Sequence, residues 1–139
     1  MYHWPARLEV FPITPQVVLD CAHNVASAEA LVRALDTFFY RRRSVLIFAV
    51  SNDKDVPGMF RLLAPHFAKL YLTRYGDNPR SVLPEQLSAW LPAEKERMLC
   101  PTPADAWRAA CADATPETLV VIAGSVFLAG ELRPILVKS

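Results

Sequence analysis

The sequence predicts an α/β fold of three layers, with a mostly parallel sheet of about six strands and helices on both faces, and three observations carry that expectation. Strand-like and helix-like segments alternate along the chain, the pattern of βαβ units. Two uncharged runs, Ser44 to Val50 and Thr118 to Ala123, are rich in branched residues, as central strands covered on both faces are. Ala28, Leu31, Val32, Leu35, Phe38 and Phe39 recur at three- and four-residue spacings, a stripe wide enough to cover a sheet.

Taken in order, Leu8 to Phe11 and Val17 to Leu19 read as short strands separated by a turn around Pro12 and Pro15. Asn24 suits the N-cap of a helix from about Val25 to Tyr40. The strand Ser44–Val50 follows, then a polar loop from Ser51 to Asp55 and a helix from about Pro57 to Phe67. Lys69 to Thr73 is the next expected strand, and Arg74 to Val82 a loop with turn chemistry at Gly76-Asp77-Asn78-Pro79. Pro84 opens a helix to about Leu91, Met98 to Cys100 is a short strand, and Ala104 to Ala114 a helix with Trp107, Ala110 and Cys111 inward. After the strand at Thr118–Ala123, Gly124-Ser125 turns into a last helix, Val126 to Leu136, which Pro134 should shorten or kink. One edge strand is expected to be antiparallel.

At 139 residues, 53% of them hydrophobic, the chain is expected to fold as a single domain over residues 1–139 with a core that needs no staples. Fifteen basic and fourteen acidic residues nearly cancel, which argues against a nucleic-acid partner. The basic run Arg41-Arg42-Arg43 suits the negative end of the preceding helix. Three scattered cysteines with no CxxC spacing indicate neither a zinc site nor a disulfide framework, and a reducing, cytoplasmic location is the parsimonious one. No apolar run approaches the ~20 residues of a membrane span. Trp4, Trp90 and Trp107 read as core or interface aromatics, and His3 and His66 as surface groups without obvious partners.

Three polar segments leave probable strands: Asp20 to Asn24, Ser51 to Asp55, and Gly124-Ser125. Ligands of open α/β sheets bind outside the carboxyl ends of the strands, so these segments are the candidates for one shared site. Asp20-Cys21-Ala22-His23-Asn24 sets a carboxylate, an imidazole and a helix start together, where phosphates and amino-acid carboxylates bind well. Its structural alternative is that Asp20 and Asn24 only cap the helix while His23 fills a gap. Two ligands are too few for a metal site at Cys21 and His23, and adjacent positions rarely reach nucleophile–base geometry, so Cys21 reads as a buried, inert thiol. Asp53 or Asp55 suits the cap of the following helix, and Gly124-Ser125 combines a capping role with free N–H groups for an anion.

These segments, in order, resemble one family. Leu19-Asp-Cys-Ala-His-Asn24 is similar to the Leu-Asp-Gly-Ala-His-Asn signature of the Mur ligase C-terminal domain, a three-layer, Rossmann-like fold. Trp4-Pro-Ala-Arg-Leu-Glu9, Ser51-Asn-Asp-Lys-Asp55 and Gly124-Ser-Val-Phe-Leu-Ala-Gly-Glu131 resemble segments of its folylpolyglutamate synthase and bifunctional dihydrofolate synthase branch. The resemblance implies an ATP-dependent ligase that joins glutamate to a folate through an acyl phosphate, with ATP and Mg2+ held between an N-terminal P-loop domain and this one. It implies catalytic roles for Asp20 and His23, nucleotide contacts from Arg7 and Asp20, and glutamate contacts from His23, Asn24 and Ser125. Asp53, Lys54 and Asp55 would shape a loop beside the site, and no metal ligand would come from this chain.

The chain departs from the family at several points. No GxxxxGK[ST] occurs, so it carries half a cleft, reads as a fragment of a longer protein, and should be inactive alone. Cys21 and Ala6 replace family glycines; the change at Cys21 is tolerable if its backbone is ordinary and damaging if a positive φ or a close approach to ligand is required. The rivals are another Mur-type amino-acid ligase, and a stand-alone nucleotide or amino-acid binding module.

Overall fold

A computed structural model describes residues 8–76 and 78–139. His3, Trp4 and Arg7, and Asp77 within the predicted turn, lie outside the described residues. Twelve elements run β1 (Glu9–Phe11), β2 (Gln16–Leu19), α1 (Val25–Phe38), β3 (Ser44–Phe48), α2 (Val56–Leu63), a 3-10 turn (Ala64–His66), β4 (Lys69–Leu72), α3 (Pro84–Ala89), β5 (Arg97–Leu99), α4 (Pro103–Asp113), β6 (Leu119–Ala123) and α5 (Val126–Val137).

The six strands form one sheet in the order β1-β2-β6-β3-β4-β5. All pairs are parallel except β1 with β2, the antiparallel edge that the sequence led us to expect. The last strand is the central one: β6 pairs Val120 with Val17 of β2 and with Val45 of β3. That insertion places the carboxyl ends of β2, β6 and β3 side by side.

Alternate side chains divide the core between two faces, as the two-residue period of a strand requires. Val18, Leu46, Phe48, Leu70 and Val121 pack beneath Leu31 and Leu35 of α1 and Met59 and Leu63 of α2. Val17, Leu19, Ile47, Tyr71 and Ile122 pack beneath Ala106 and Ala110 of α4 and Leu128 and Leu132 of α5. A fully buried Leu, Ile or Phe contributes about 1.5–3 kcal/mol by leaving water, so these two layers fix the sheet and hence its carboxyl edge.

The structure corrects several expectations. Helix α1 ends at Phe38, which is 68% exposed instead of inward, because Phe39 takes the packing position beside it. Arg41, at φ 62°, turns the chain out of the helix, and Arg42 does not serve the helix end: it donates to Gln16 Oε1 at 3.0 Å and to the Glu117 carbonyl at 3.1 Å. Cys111 is half-buried, not fully inward, as are Trp107 and Cys21. His66 has a partner, with Nδ1 3.6 Å from Asp36 Oδ1 and its ring edge-on to Phe67. Pro134 does not stop α5, which runs on to Val137. Gly130, whose carbonyl loses its donor four residues later, is exposed, so water can replace the missing bond. No helix among the described residues is long and apolar enough to cross a membrane.

Candidate active site

The three polar segments meet at the carboxyl edge of the sheet. Asp20 donates its N–H to the Ile122 carbonyl at 2.9 Å, and Gly124 donates its N–H to the Ala22 carbonyl at 2.7 Å, so the first and third segments are bonded to each other. Gly124 holds φ +118°, and a Cβ there would lie 2.1 Å from the Ala49 carbonyl oxygen and 3.0 Å from the Phe48 ring. Only glycine lets the end of β6 pass so close to the end of β3.

Asp20 is 8% exposed, and its Oδ1 accepts from the backbone N–H of Cys21 at 3.0 Å and of Leu8 at 3.2 Å. Leu8 stands at φ 53°, a left-handed conformation that costs a non-glycine residue on the order of 1–3 kcal/mol. The bond to Asp20 helps hold it there, which ties the start of β1 to the site. Cys21 does not have a left-handed backbone, so its replacement of the family glycine brings no backbone strain.

Asn24 caps α1 with extended backbone (φ −146°, ψ 177°) in a reciprocal box with Ser27. Its Oδ1 accepts from Ser27 N–H at 2.8 Å and from Ser27 Oγ at 2.7 Å, while Ser27 Oγ accepts from the backbone N–H of His23 and Asn24. His23 is exposed, with Nδ1 3.0 Å from the Cys21 carbonyl oxygen. A carbonyl only accepts, so the contact puts a proton on Nδ1 and turns Nε2 outward. Ser125 is 4% exposed and caps α5, its Oγ accepting from Phe127 N–H at 3.0 Å. In the middle segment Asp55, not Asp53, caps α2 by accepting from Gly58 N–H at 3.0 Å; Asp53 is exposed and Lys54 half-buried. Residues of the first segment line a cavity of about 490 Å3 with Leu8, Ser27 and Leu31.

The amino termini of α1, α2 and α5 therefore converge on one edge, each capped and each presenting the positive end of its dipole. Val25 of α1 approaches Gly58 of α2 so closely that a Cβ on Gly58 would lie 3.0 Å from a Val25 methyl. Exposed Val126 and Phe127 form the apolar rim beside Ser125, with Phe127 stacked on Tyr75 at 5.3 Å. Among the described residues no group of three His, Cys, Asp or Glu side chains comes together as a metal site.

Sequence reasoning missed the ion pair that fastens the edge strand. Arg133 of α5 donates bidentately to Glu9 of β1, at 3.0 and 2.8 Å, and Glu9 is 3% exposed. Both residues lie in or beside segments already singled out, but nothing local signals a contact across 124 positions. Two displaced titrations, those of Tyr71 and Asp113, lie at the opposite end of the sheet. Burial and then the hydrogen bond to Asp113 raise the Tyr71 phenol well above its ordinary range. The bonds from Tyr71 and Lys69 lower the Asp113 carboxyl. Burial raises both the Cys100 and Cys111 thiols, which keeps them protonated and inert.

With this geometry in hand, residues 6–126 match the family described as Mur ligase, glutamate ligase domain. The chain is 36% identical over 137 residues to the folylpolyglutamate synthase of Lacticaseibacillus casei, covering 96% of this chain and 30% of that protein. Escherichia coli FolC in complex with DHPP and ADP superposes with a TM-score of 0.88 at 27% identity, over 97% of this chain and 32% of that one. A bifunctional folylpolyglutamate synthase/dihydrofolate synthase with Mn, AMPPNP and L-glutamate bound superposes with a TM-score of 0.82 at 26% identity, over 96% and 32% of the two chains. The present chain thus spans about a third of the proteins it resembles, and it belongs to the Mur ligase glutamate ligase domain family.

Proposed function

We propose that this chain is one wall of an ATP-dependent ligase that adds glutamate to a folate, residues 1–139 forming a single glutamate-ligase domain of a longer enzyme. The observation that carries the reading is the convergence of Asp20, His23 and Ser125 at the ends of β2 and β6, under three helix amino termini, in a member of this family. Such an edge suits anionic ligands, and the relatives' bound ADP, AMPPNP and L-glutamate are of that kind.

In this reading ATP sits between the edge and a P-loop domain, and Mg2+, the metal taken to accompany it, is held by residues of the other wall. Asp20, fixed by two backbone N–H groups, accepts the ribose hydroxyls, and Arg7 pairs with phosphate. The outward Nε2 of His23 would meet the incoming glutamate and accept a proton from its ammonium before the amine attacks the γ-acyl phosphate, forming the amide as the bond to phosphate breaks and phosphate leaves. Asn24 and Ser125 keep the two helix starts aimed at the glutamate carboxylates. Asp53, Lys54 and Asp55 set the height of the neighbouring loop. Holding both reactants between two walls supplies the orientation a two-substrate ligation needs. A cytoplasmic setting fits the three free thiols.

The test joins this chain to the N-terminal two-thirds of a folylpolyglutamate synthase and measures ATP-dependent transfer of labelled glutamate to tetrahydrofolate. The fusion should transfer glutamate, the isolated chain should not, and His23→Ala should cut turnover by about 10²-fold or more. A folded fusion that binds ATP yet transfers no glutamate to any folate refutes the reading.

A further inference from the structure

Trp90, at the carboxyl end of α3, is 38% exposed, and no ring among the described residues stacks on it. It borders a cavity of about 560 Å3 that shares no lining residue with the three polar segments of the candidate active site. That volume lies within the range of small-molecule sites, roughly 300–1,000 Å3. The groove follows α2 from Pro57 in its first turn to Pro65 beyond its end, a length of ~12 Å at the rise of a helix. Its floor is Phe60, buried and packed on the Phe48 ring, with Ala64 beside it.

The wall formed by the α3–β5 loop is pinned in place. Arg97 of β5 donates to the carbonyls of Ser88, Pro92 and Lys95, and Lys95 Nζ donates to the carbonyl of Phe67. A wall fixed beforehand leaves little to be ordered when a ligand enters. The charges on the lining are uneven. Arg61 is exposed on α2, and among the described residues its guanidinium has no hydrogen bond or ion pair. Lys95 gives one donor to a neutral carbonyl, and Glu94 is the lone carboxylate. Two cations against one anion favour a negative ligand. Around these charges the surface is apolar and flat, made by the Trp90 indole and the rings of Pro65 and Pro92. An indole face that no other ring covers is well met by a second π system.

We propose that this groove binds a planar aromatic anion, its ring against Trp90 and the two prolines and its acidic group toward Arg61 and Lys95. The site lies outside the candidate active site and does not depend on the ligase reading. α2 belongs to both places, with its Asp55 cap at the carboxyl edge and Pro57, Phe60 and Arg61 in the groove. A ligand here therefore touches the same helix that opens onto the reaction edge.

The test titrates the isotope-labelled chain with 2-naphthoate and follows the indole N–H signal of Trp90, assigned from the Trp90→Phe variant. A saturable shift is expected. Arg61→Gln should weaken binding about tenfold, the worth of one charge-assisted bond. The uncharged 2-naphthylmethanol should bind the unaltered chain weakly by about the same factor. Decahydro-2-naphthoate, which keeps the charge and lacks π faces, should also bind more weakly than the aromatic acid. Arg61 is exposed, so its replacement tests the site without disturbing the core. No saturable shift at Trp90, or equal binding by the alcohol or by Arg61→Gln, overturns the site. Equal binding by the saturated acid overturns the aromatic class of the ligand. Shifts confined to Cys21–Asn24 overturn the proposal too, placing the acid at the carboxyl edge and leaving the ligase reading intact. A proline-rich peptide that shifts Trp90 where naphthoate does not also overturns it, making the groove a protein-docking surface.

Discussion

At the amino end of the sheet, Lys69, Tyr71 and Asp113 satisfy one another: Tyr71 donates to Asp113 Oδ2 at 2.7 Å, and Lys69 Nζ lies 3.1 Å from the same oxygen. At the carboxyl end, Asp20, Asn24, Asp55 and Ser125 each bond backbone N–H groups. The displaced titrations of Tyr71 and Asp113 therefore sit where no ligand is expected, although such shifts often mark functional sites. What separates the two ends is who answers whom. A closed ring of side chains consumes its own polarity, whereas side chains that hold backbone in place aim the remaining polarity outward.

Substitutions at the two ends sharpen this contrast. Gly124→Ala should be the most damaging, at about 4 kcal/mol, because it combines a strained φ with overlap against the Ala49 carbonyl. Denaturant unfolding measures it, and a loss under 1 kcal/mol would mean that the two strand ends can part. Asp20→Ala, which strands two backbone N–H groups, should cost about 2 kcal/mol and abolish nucleotide-dependent turnover in the fusion. Ser125→Ala removes one cap, worth about 1 kcal/mol by thermal unfolding, and should weaken glutamate capture as well.

At the other end, Tyr71→Phe should cost about 0.5–1 kcal/mol and leave turnover unchanged. Its pH signature is distinctive. The folded phenol holds its proton more tightly than the unfolded one, so the stability linked to it is complete below about pH 10 and fades as the unfolded tyrosine ionises above that. Tyr71→Phe should remove this alkaline decline. Asp113→Asn should have the smallest effect, a few tenths of a kcal/mol at neutral pH, since the side chain is 48% exposed and screened by water. Its folded carboxyl is lowered, so the contribution is present above about pH 4 and lost as pH falls further, and the variant should converge with the parent there.

The sheet and its working edge were legible because their signals are local. Ser44–Phe48 and Leu119–Ala123 announce buried strands by composition alone, and Asp20 to Asn24 announces a helix start after a strand. The order of the strands was not legible, because a crossover that carries β6 back between β2 and β3 leaves no mark on the residues of either neighbour. Glu9–Arg133 escaped for the same reason: it joins distant positions whose residue types are ordinary one by one. Phe38 misled because its spacing fits the inward stripe although α1 is already ending there, and Pro134 because its helix had only a few residues left to lose. For Asn24, capping and function had been alternatives; the side chain caps, and its position at the edge follows from that.

The central place of β6 also orders events in time. β2 and β3 touch no common ladder except through Leu119–Ala123, so the sheet stays in two halves until nearly the whole chain has left the ribosome. Up to that moment the apolar flanks of Val17–Leu19 and Val45–Phe48 wait uncovered, slow to close because the joining contacts span about a hundred residues. A nascent chain stalled before Leu119 would therefore be a target for chaperones, and the carboxyl edge is the last part of this sheet to be assembled.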